Sequence, residues 1–349
     1  MPSYSGASFP ETSITESPDS LPCQFTTRLV YWLRMVYVRG GSGSRAALSA
    51  RAGRMTSGRV ARLSADHIPA LVARLAGYGA HSLQTRTVLH LLRARINPAP
   101  YQLYAAGTEG ADLVTVTAMQ PTPGRTVLDV CGPESSAGRR QLDVLLRAPE
   151  LAELWRRPVR VEFIAEGLAA VLVAAAEGHG LRRVLDVNET LRLYARPDGL
   201  PDPPESRQPG LEVRSLEERH LAKVERLWWY SRELYQDATA MLQTGQRAGL
   251  AVGVFLTERD AAHPDTPLDE PVSWSLVNAY GAESFGFTEP AYRGRGLQNM
   301  VLEELIRRSS RLGLPCYGYT NDTNAAQLRN LTLCGLQPEH VVTRLCFVT

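Results

Sequence analysis

The stretch 284–312 constrains the fold of this chain more than any other, because it joins a strand pattern to a helix pattern. A short apolar run, Phe285–Thr288, leads through a proline-containing turn to Arg293-Gly294-Arg295-Gly296. A long amphipathic helix pattern starts at Leu297, with apolar residues on one face at i, i+4 spacing. A strand, a glycine-rich loop and a helix in this order predict an α/β arrangement.

The loop at this junction has the composition of a phosphate-binding site. The first N–H groups of a helix have no partner within the helix, and the helix dipole adds positive potential there. Glycines let the backbone approach a ligand closely, and two arginines add fixed charge and bidentate geometry for pyrophosphate. We therefore expect six consecutive residues to hold a phosphate-bearing ligand: Arg293, Gly294, Arg295, Gly296, Leu297 and Gln298. The alternative is an ordinary turn before a surface helix, since short glycine motifs often match by chance.

Length and composition argue against several classes of protein. With 349 residues the chain is long enough for two domains and a tail. The net charge of +2 gives no indication of nucleic-acid binding, and no apolar stretch is long enough to span a bilayer. The five cysteines form no CxxC pair, so we expect neither a metal site nor a disulfide framework, and a reducing compartment fits best. The sequence carries no indication of an oligomeric state.

Residues 1–65 differ in composition from the rest of the chain. Between Ser20 and Ala65 there are eight arginines and no acidic residue, and the run FTTRLVYWLRMVYVR mixes aromatic residues with arginine. This composition is typical of a mitochondrial targeting segment, although three acidic residues before Ser20 are not. Two alternatives stay open, a poorly ordered tail and a translation start upstream of the true domain. We therefore expect the protein to be mitochondrial, and the alternative is a cytoplasmic location.

The rest of the chain is predicted to form two domains. Residues 66–200 alternate helix and strand patterns, which predicts a compact α/β or α+β domain. Pro197–Gly210 carries five prolines and two glycines and indicates a semi-rigid linker, the alternative being a long ordered loop within one domain. Residues 201–349 are predicted to form the second domain, in the order β-α-β-β-β-loop-α-β-α-β. In that order one helix covers 217–234, and Glu283–Thr288 is the fourth strand.

That order, with the glycine-rich loop after the fourth strand, resembles the GCN5-related N-acyltransferase fold. Residues 293–298 are similar to the family's acyl-CoA pyrophosphate loop, R/Q-x-x-G-x-G/A, with Gln298 departing at the last position. Asn324 and the later Cys334-Gly335-Leu336 resemble the family's second motif, an Asn at a helix start and an apolar-Gly-apolar group at its end. The resemblance implies acyl-CoA as a co-substrate, with no permanently bound cofactor. It also implies a mixed sheet splayed between its fourth and fifth strands.

A closer resemblance is to the vertebrate glycine N-acyltransferase family. It is carried by VSWSLV, by Gly286–Arg293 and by GLPCYGYTNDTNAAQ, while INPAPYQLY and RAPELAELW match the family's divergent N-terminal half more loosely. The resemblance implies tandem acyltransferase-like domains at 66–200 and 201–349. It also implies transfer of an acyl group from a CoA thioester to the amino group of glycine or a similar amino acid. Two other functions stay open, namely transfer to a protein or small amine, and acyl-CoA binding without turnover.

The resemblance also implies roles for residues of the fourth strand. The base that removes a proton from the attacking amine is a glutamate early on this strand, for which Glu283 is the candidate. The alternative for Glu283 is a solvated residue at a hairpin end, and Glu289 and His340 are weaker candidates for the base. Phe287 and Thr288 are expected at a strand edge that holds the pantetheine amides, with core packing as the alternative for Phe287.

Two further roles belong to the second motif. Asn324 is expected to cap a helix and to contact the cofactor. A tyrosine that protonates the leaving thiolate is common in the wider family, but the corresponding position is Leu331. The role is therefore absent, or it falls to Tyr317, Tyr319, Thr332 or water.

Overall fold

The computed structural model describes residues 60–107, 112–121, 124–184, 189–228 and 238–349. The predicted targeting segment lies outside these residues up to residue 59, and the last part of the helix predicted for 217–234 also lies outside them.

Helices and strands alternate along the described chain. The helices are α1 Ile68–Leu75, α2 Leu83–Arg93, α3 Ser136–Leu146, α4 Glu166–Gly178, α5 Glu218–Leu227, α6 Ala238–Arg247, α7 Leu297–Arg311 and α8 Ala325–Leu333. The strands are β1 Ala61–Leu63, β2 Tyr101–Ala106, β3 Val114–Met119, β4 Thr126–Cys131, β5 Val159–Ala165, β6 Arg182–Arg183, β7 Glu189–Ala195, β8 Leu211–Ser215, β9 Ala251–Leu256, β10 Pro271–Val277, β11 Glu283–Thr288, β12 Tyr317–Thr320 and β13 Gln337–Val348.

The strands of the described residues form one mixed sheet. Its order is β1-β2-β3-β4-β5-β13-β7-β12-β11-β10-β9-β8, and β6 pairs with β13. Strands β1–β7 form a first repeat and strands β8–β13 a second one with a similar order of elements. The last strand of each repeat pairs with a strand of the other repeat. β7 pairs antiparallel with β12, while β13 pairs antiparallel with β5. Side chains from both ends of the chain therefore meet at the centre of the sheet.

The predicted fold class is confirmed, including the splay between the fourth and fifth strands of the second repeat. β11 and β12 are parallel and share a single register pair, Glu283 with Gly318. Beyond that pair the two strands part, which leaves a gap in the middle of the sheet. The prediction that residues 66–200 and 201–349 are separate domains remains a prediction.

Helix α7 closes one face of this half of the sheet, as its apolar pattern predicts. Leu297, Met300, Val301 and Leu305 are buried and pack with residues of β9 and β10 in one cluster. The strands beneath are buried at every position, which agrees with their nearly continuous apolar sequence. The helix thereby fixes the glycine-rich loop at its own start against the sheet.

One local prediction for the second half is corrected, and one helix there was not predicted. The helix predicted for 217–234 ends at Leu227, and a separate helix, Ala238–Arg247, was not predicted. Gly245 inside that helix is required by packing, because a Cβ there would lie 2.3 Å from the carbonyl oxygen of Val277. A glycine in mid-helix weakens the helix pattern in the sequence, which explains why the pattern does not reveal this helix.

The proline-rich segment 197–210 lies along α7. Arg307 on α7 donates hydrogen bonds to the carbonyl oxygens of Pro203 and Pro204, and Ser206 bonds to Glu303. The segment is therefore held in place by the helix that follows the glycine-rich loop. Among the described residues, no helix combines the length and apolar character needed to cross a bilayer.

Candidate active site

A cavity of about 360 Å³ lies in the gap between β11 and β12. This volume is near the lower end of the roughly 300–1,000 Å³ that is usual for small-molecule sites. Its walls combine aromatic and apolar groups with a few polar and charged ones: Phe163, Leu191, Leu227, Trp228, Met241, Asn278, Glu283, Ser284, Phe285, Gly286, Phe287, Arg293, Tyr319, Thr320, Asn321, Asn324, Gln327 and Arg344. Of the sequence-predicted site residues, the structure places Glu283, Phe287, Arg293 and Asn324 in this one cavity.

Glu283 is a buried carboxyl at the start of β11, and it is not a solvated residue at a hairpin end. The Gln327 side-chain amide donates to its Oε2 at 2.9 Å, and the Ser275 hydroxyl bonds to its Oε1. Burial raises the pKa of Glu283 above the usual value, while the hydrogen bonds from Ser275 and Gln327 act in the opposite direction. A carboxylate with a raised pKa that faces a cavity is suited to accept a proton.

Ser275 allows Glu283 to change protonation without leaving a buried group unpaired. The single hydroxyl proton of Ser275 has two acceptors within reach, Glu283 Oε1 and the carbonyl oxygen of Ser284 at 2.8 Å. When Glu283 is ionised, the Ser275 hydroxyl donates its hydrogen bond to the carboxylate. When Glu283 is protonated, it donates to Ser275, which then donates to Ser284. Both states are satisfied, which lowers the cost of proton transfer to this buried group.

A β-bulge in β11 lies next to Glu283. The register between β10 and β11 shifts between Trp274 and Leu276, so Phe285 and Gly286 together oppose Ser275. Phe285 has φ +61°, which is a strained conformation for an aromatic residue. A bulge leaves its extra residue out of the strand ladder. The main chain at this point of the cavity wall is thus a candidate donor to a developing oxyanion, a type of interaction that typically contributes a few kcal/mol.

The glycine-rich loop has the geometry of an anion site. Gly294 and Gly296 have φ values of +78° and +75°, and a Cβ at either position would meet nothing within 4 Å. Gly296 is the N-cap of α7 and no side chain caps this helix start. Open space therefore lies above a helix start whose first N–H groups are not used by a side chain, which is the arrangement expected for phosphate.

The two arginines of this loop are held differently. Arg293 lines the cavity, and its Nε donates to the carbonyl oxygen of Thr288 at 3.1 Å. Arg295 forms an ion pair with Asp260 at 3.0 Å, and its guanidinium lies 5.0 Å from the ring centre of Tyr292. The geometry favours Arg293 over Arg295 as the phosphate-binding side chain.

Leu297 and Gln298 are the first residues of α7, and their side chains turn inward. Leu297 is buried in the core. Gln298 accepts a hydrogen bond from Ser273 at 3.2 Å, and its Nε2 would lie 3.0 Å from a Cβ at Gly286. The departure from Gly or Ala at position 298 is therefore accommodated inside the fold, and the side chain of Gln298 is directed away from the loop's open side.

The remaining predicted binding residues line or support the cavity. Phe287 stacks on Trp274 with ring centres 5.1 Å apart while also lining the cavity, so packing and contact with a ligand are compatible. Thr288 bonds to Ser273 at 2.8 Å. Asn324 caps α8 by accepting the N–H of Gln327 at 3.2 Å, and it lines the cavity as well.

The alternative bases lie elsewhere. Glu289 forms an ion pair with Lys223 at 2.7 Å and does not line the cavity. His340 stacks on His81 with ring centres 3.9 Å apart, and burial lowers its pKa to about 4. Both are therefore set aside as the base, on the ground that neither lines the cavity that contains Glu283.

The candidates for protonating a leaving thiolate also differ in whether they line the cavity. Tyr317 donates to the carbonyl oxygen of Tyr280, and Thr332 donates to the carbonyl oxygen of Leu328 within its own helix. Of the candidate side chains, only Tyr319 lines the cavity; its hydroxyl donates to Gln84 at 2.9 Å, and burial raises its pKa. Leu331, at the family's tyrosine position, is buried in a core cluster.

Sequence reasoning missed Ser275, Gln327 and Arg344. A signal existed for the first two. VSWSLV alternates polar and apolar residues, which places its two serines on one face of β10. Gln327 lies three residues after the helix cap, a position whose side chain often turns back. No local pattern points to Arg344, because it reaches the cavity through the exchange of strand β13.

The corresponding gap in the first repeat is closed. β4 and β5 are parallel over three register pairs, and the space beyond them amounts to about 10 Å³. The helix that follows β4 is α3, and at its start the side chain of Ser135 accepts the N–H of Gly138 at 3.1 Å. A side chain therefore caps this helix start, unlike the start of α7, so among the described residues the geometry favours a phosphate-bearing ligand at α7.

Comparisons with known proteins concern the fold and one short stretch of the sequence. No protein-family profile matches the chain. Glycine N-phenylacetyltransferase from Bos taurus is 40% identical over 58 residues, a match that spans 17% of this chain and 20% of that protein's length. The resemblance to the glycine N-acyltransferase family thus has independent support in sequence over a short stretch.

Solved structures superpose on this chain at low sequence identity. A Drosophila protein superposes with a TM-score of 0.60 at 14% identity, covering 85% of this chain and 99% of its own. A GCN5-related N-acetyltransferase from Sphaerobacter thermophilus gives 0.48 at 13% identity and covers 82% of this chain and 94% of its own. A tandem protein of the same fold from the clavulanic acid biosynthesis pathway gives 0.47 at 14% identity, covering 82% and 97%. At 14% identity the likeness to the Drosophila protein concerns the fold alone.

Proposed function

We propose that this protein is an acyl-CoA-dependent N-acyltransferase whose acceptor is glycine or a similar amino acid. The observation that carries the proposal is that Glu283, a buried carboxyl with a raised pKa, lines the same cavity as Arg293, the first residue of the glycine-rich loop. That loop leads directly into a helix start with open space above it. Acyl transfer from a CoA thioester needs both, because the carrier is held by its phosphates and the attacking amine must lose a proton.

The roles follow from the positions of the groups. The main chain from Gly294 to Gln298, with Arg293, holds the diphosphate. Main-chain donors at the Phe285 bulge stabilise the oxygen of the thioester carbonyl as it gains charge. Glu283 takes the proton of the amine and then donates a hydrogen bond to Ser275, whose hydroxyl keeps its own proton and donates a hydrogen bond to the carbonyl oxygen of Ser284. The C–S bond breaks and the CoA thiolate leaves, with Tyr319 or water supplying its proton.

Glycine as acceptor is supported by the sequence resemblance and by the 40% identity over 58 residues to the bovine enzyme named for that reaction. A mitochondrial location is part of the same proposal and is supported by the arginine-rich composition of residues 1–65.

The test combines a panel of acyl-CoA donors with glycine, glutamine and short peptides as acceptors, followed by release of the CoA thiol. The proposal predicts turnover with free amino acids. Turnover with peptides alone would refute the amino-acid acceptor and favour a protein acetyltransferase. No turnover with any acceptor, together with a raised thermal midpoint in the presence of CoA but not ATP, would indicate an acyl-CoA-binding protein without activity.

A further inference from the structure

The turn that joins β10 to β11 places a polar side chain in the wall of the cavity. Asn278 is buried and lines the cavity together with Ser284, the second residue of β11. The side-chain oxygen Oδ1 of Asn278 accepts the main-chain N–H of Tyr280 at 2.9 Å and that of Ala282 at 3.1 Å. These two bonds fix the orientation of the amide, so its nitrogen Nδ2 is the atom that faces Ser284.

The amide of Asn278 in turn fixes the hydroxyl of Ser284. Its Nδ2 lies 2.8 Å from Ser284 Oγ, and an amide nitrogen can only donate. Ser284 Oγ is therefore the acceptor in this bond, and its own proton is directed elsewhere. No described residue accepts that proton. Because the side chain of Ser284 is half-buried and lines the cavity, its proton is available to a ligand there.

Ser284 lies between two groups to which the chemistry is assigned above. Glu283 precedes it on β11, and Phe285, at the bulge, follows it. The main-chain carbonyl oxygen of Ser284 accepts from Ser275 at 2.8 Å, which joins it to the hydrogen bonds around Glu283. A hydroxyl proton pairs only with an acceptor atom. The attacking amine is a donor and pairs with Glu283, whereas the thioester carbonyl oxygen is an acceptor that gains negative charge.

We propose that Ser284 is a catalytic residue whose hydroxyl donates to the thioester oxygen, and that Asn278 is the residue that positions this hydroxyl. The proposal rests on the acyl transfer proposed above. As the amine nitrogen bonds to the thioester carbon, the C=O electron pair moves to the oxygen, and Ser284 donates a hydrogen bond there without losing its proton. When the C=O bond forms again, the C–S bond breaks and the CoA thiolate leaves with its electron pair. The hydrogen bond is strongest while the oxygen carries charge, so it lowers the barrier.

The experiment measures kcat and KM of Ser284→Ala and Ser284→Thr with glycine and an acyl-CoA that the wild type uses. We expect Ser284→Ala to lower kcat about 100-fold, a loss typical for one oxyanion donor, while KM for both substrates stays nearly unchanged. Ser284→Thr keeps the hydroxyl and is expected to recover most of this loss. The matched control is Ser215→Ala on β8, whose hydroxyl accepts from Arg308 outside the cavity, and it is expected to keep its activity.

Asn278→Asp tests the positioning role. Aspartate keeps an oxygen that accepts from the turn, but it presents a second oxygen to Ser284 in place of the nitrogen. The Ser284 hydroxyl then donates to that carboxylate and not to the thioester, so we expect kcat to fall about as far as in Ser284→Ala. In the Ser284→Ala background the same substitution should change kcat by less than about threefold. All rates are compared above the acid limb of each pH profile, because a new carboxylate near Glu283 raises the pKa of that residue.

A kcat that falls in Ser284→Ala, recovers in Ser284→Thr and responds non-additively to Asn278→Asp supports the proposal. A Ser284→Ala enzyme with kcat within about threefold of the wild type overturns it, as does an equal loss in Ser284→Thr. A raised KM for glycine at unchanged kcat also overturns it, because that result assigns the hydroxyl to the carboxylate of the acceptor. Losses that multiply in the double variant overturn the role of Asn278. A wild type that acylates no acceptor from any acyl-CoA refutes the proposed function itself, and the role of Ser284 with it.

Discussion

Replacement of Glu283 by glutamine separates its chemical role from its structural one. The amide has nearly the same shape as the carboxyl, and the surrounding hydrogen bonds can adapt to it. In the variant, the oxygen of the new amide accepts a hydrogen bond from Gln327, and its nitrogen donates one to Ser275. The Ser275 hydroxyl then donates its hydrogen bond to the carbonyl oxygen of Ser284. Every buried group keeps a partner, so we expect the free energy of unfolding to stay within about 1 kcal/mol of the wild type.

The effect on turnover is expected to be much larger than the effect on stability. A positioned general base typically contributes about 10²- to 10⁴-fold to the rate, and glutamine cannot accept the proton. We therefore expect Glu283→Gln to lower kcat at least about 100-fold while KM for the acyl-CoA changes little, because Glu283 lies outside the glycine-rich loop. Release of the CoA thiol with glycine as acceptor measures this loss.

The control is Glu289→Gln, which removes a carboxylate from the end of the same strand, outside the cavity. It is expected to keep its activity. A Glu283→Gln enzyme that turns over within about threefold of the wild type would refute the role of Glu283 as base. An equal loss of turnover in Glu283→Gln and Glu289→Gln would also refute that role.

Three further predictions follow from the same contacts. Gln327→Leu removes a hydrogen bond that favours ionised Glu283, so its pKa rises further and the acid limb of the profile of kcat/KM against pH moves to higher pH; an unmoved limb would exclude Glu283 as its source. Arg293→Gln is expected to weaken CoA binding about tenfold in calorimetric titration, and Arg295→Gln, whose side chain is paired with Asp260, clearly less; the reverse order would contradict the assignment. Burial raises the pKa of Asp129 to about 6 from an ordinary 3.8, so its contribution to stability is complete below pH 3.8 and is lost as pH rises through 6. Asp129→Asn should therefore gain roughly 1 kcal/mol more relative to the wild type at pH 8 than at pH 5 in urea unfolding, and a pH-independent difference would contradict this.

Much of the fold can be predicted from the sequence because its signals are local. The strand before Pro290, the glycines at 294 and 296 and the apolar face of α7 each encode their own conformation, and the loop forms where that pattern places it. Asn324 likewise caps its helix as its position predicts. Local chemistry decides these features, so a single sequence is enough to infer them.

The parts of the site that were not predicted depend on contacts between distant segments. Arg344 and Phe163 reach the cavity because β13 crosses to pair with β5, and nothing within either strand specifies that pairing. The burial of Glu283 has the same origin, since Gln327 on α8 and Ser275 on β10 close around it. A glutamate at the start of a strand is consistent with either a solvated or a buried position until those elements are assembled.

Amide hydrogen exchange with and without CoA tests the central claim most directly, namely that the start of α7 holds the diphosphate of a CoA thioester. We expect CoA to slow exchange of the main-chain N–H groups from Gly294 to Asn299 and along β11, while the start of α3 in the first repeat is unaffected. Unchanged exchange at Gly294–Asn299 under conditions in which CoA is bound, or protection that appears instead at the gap between β4 and β5, would contradict the claim.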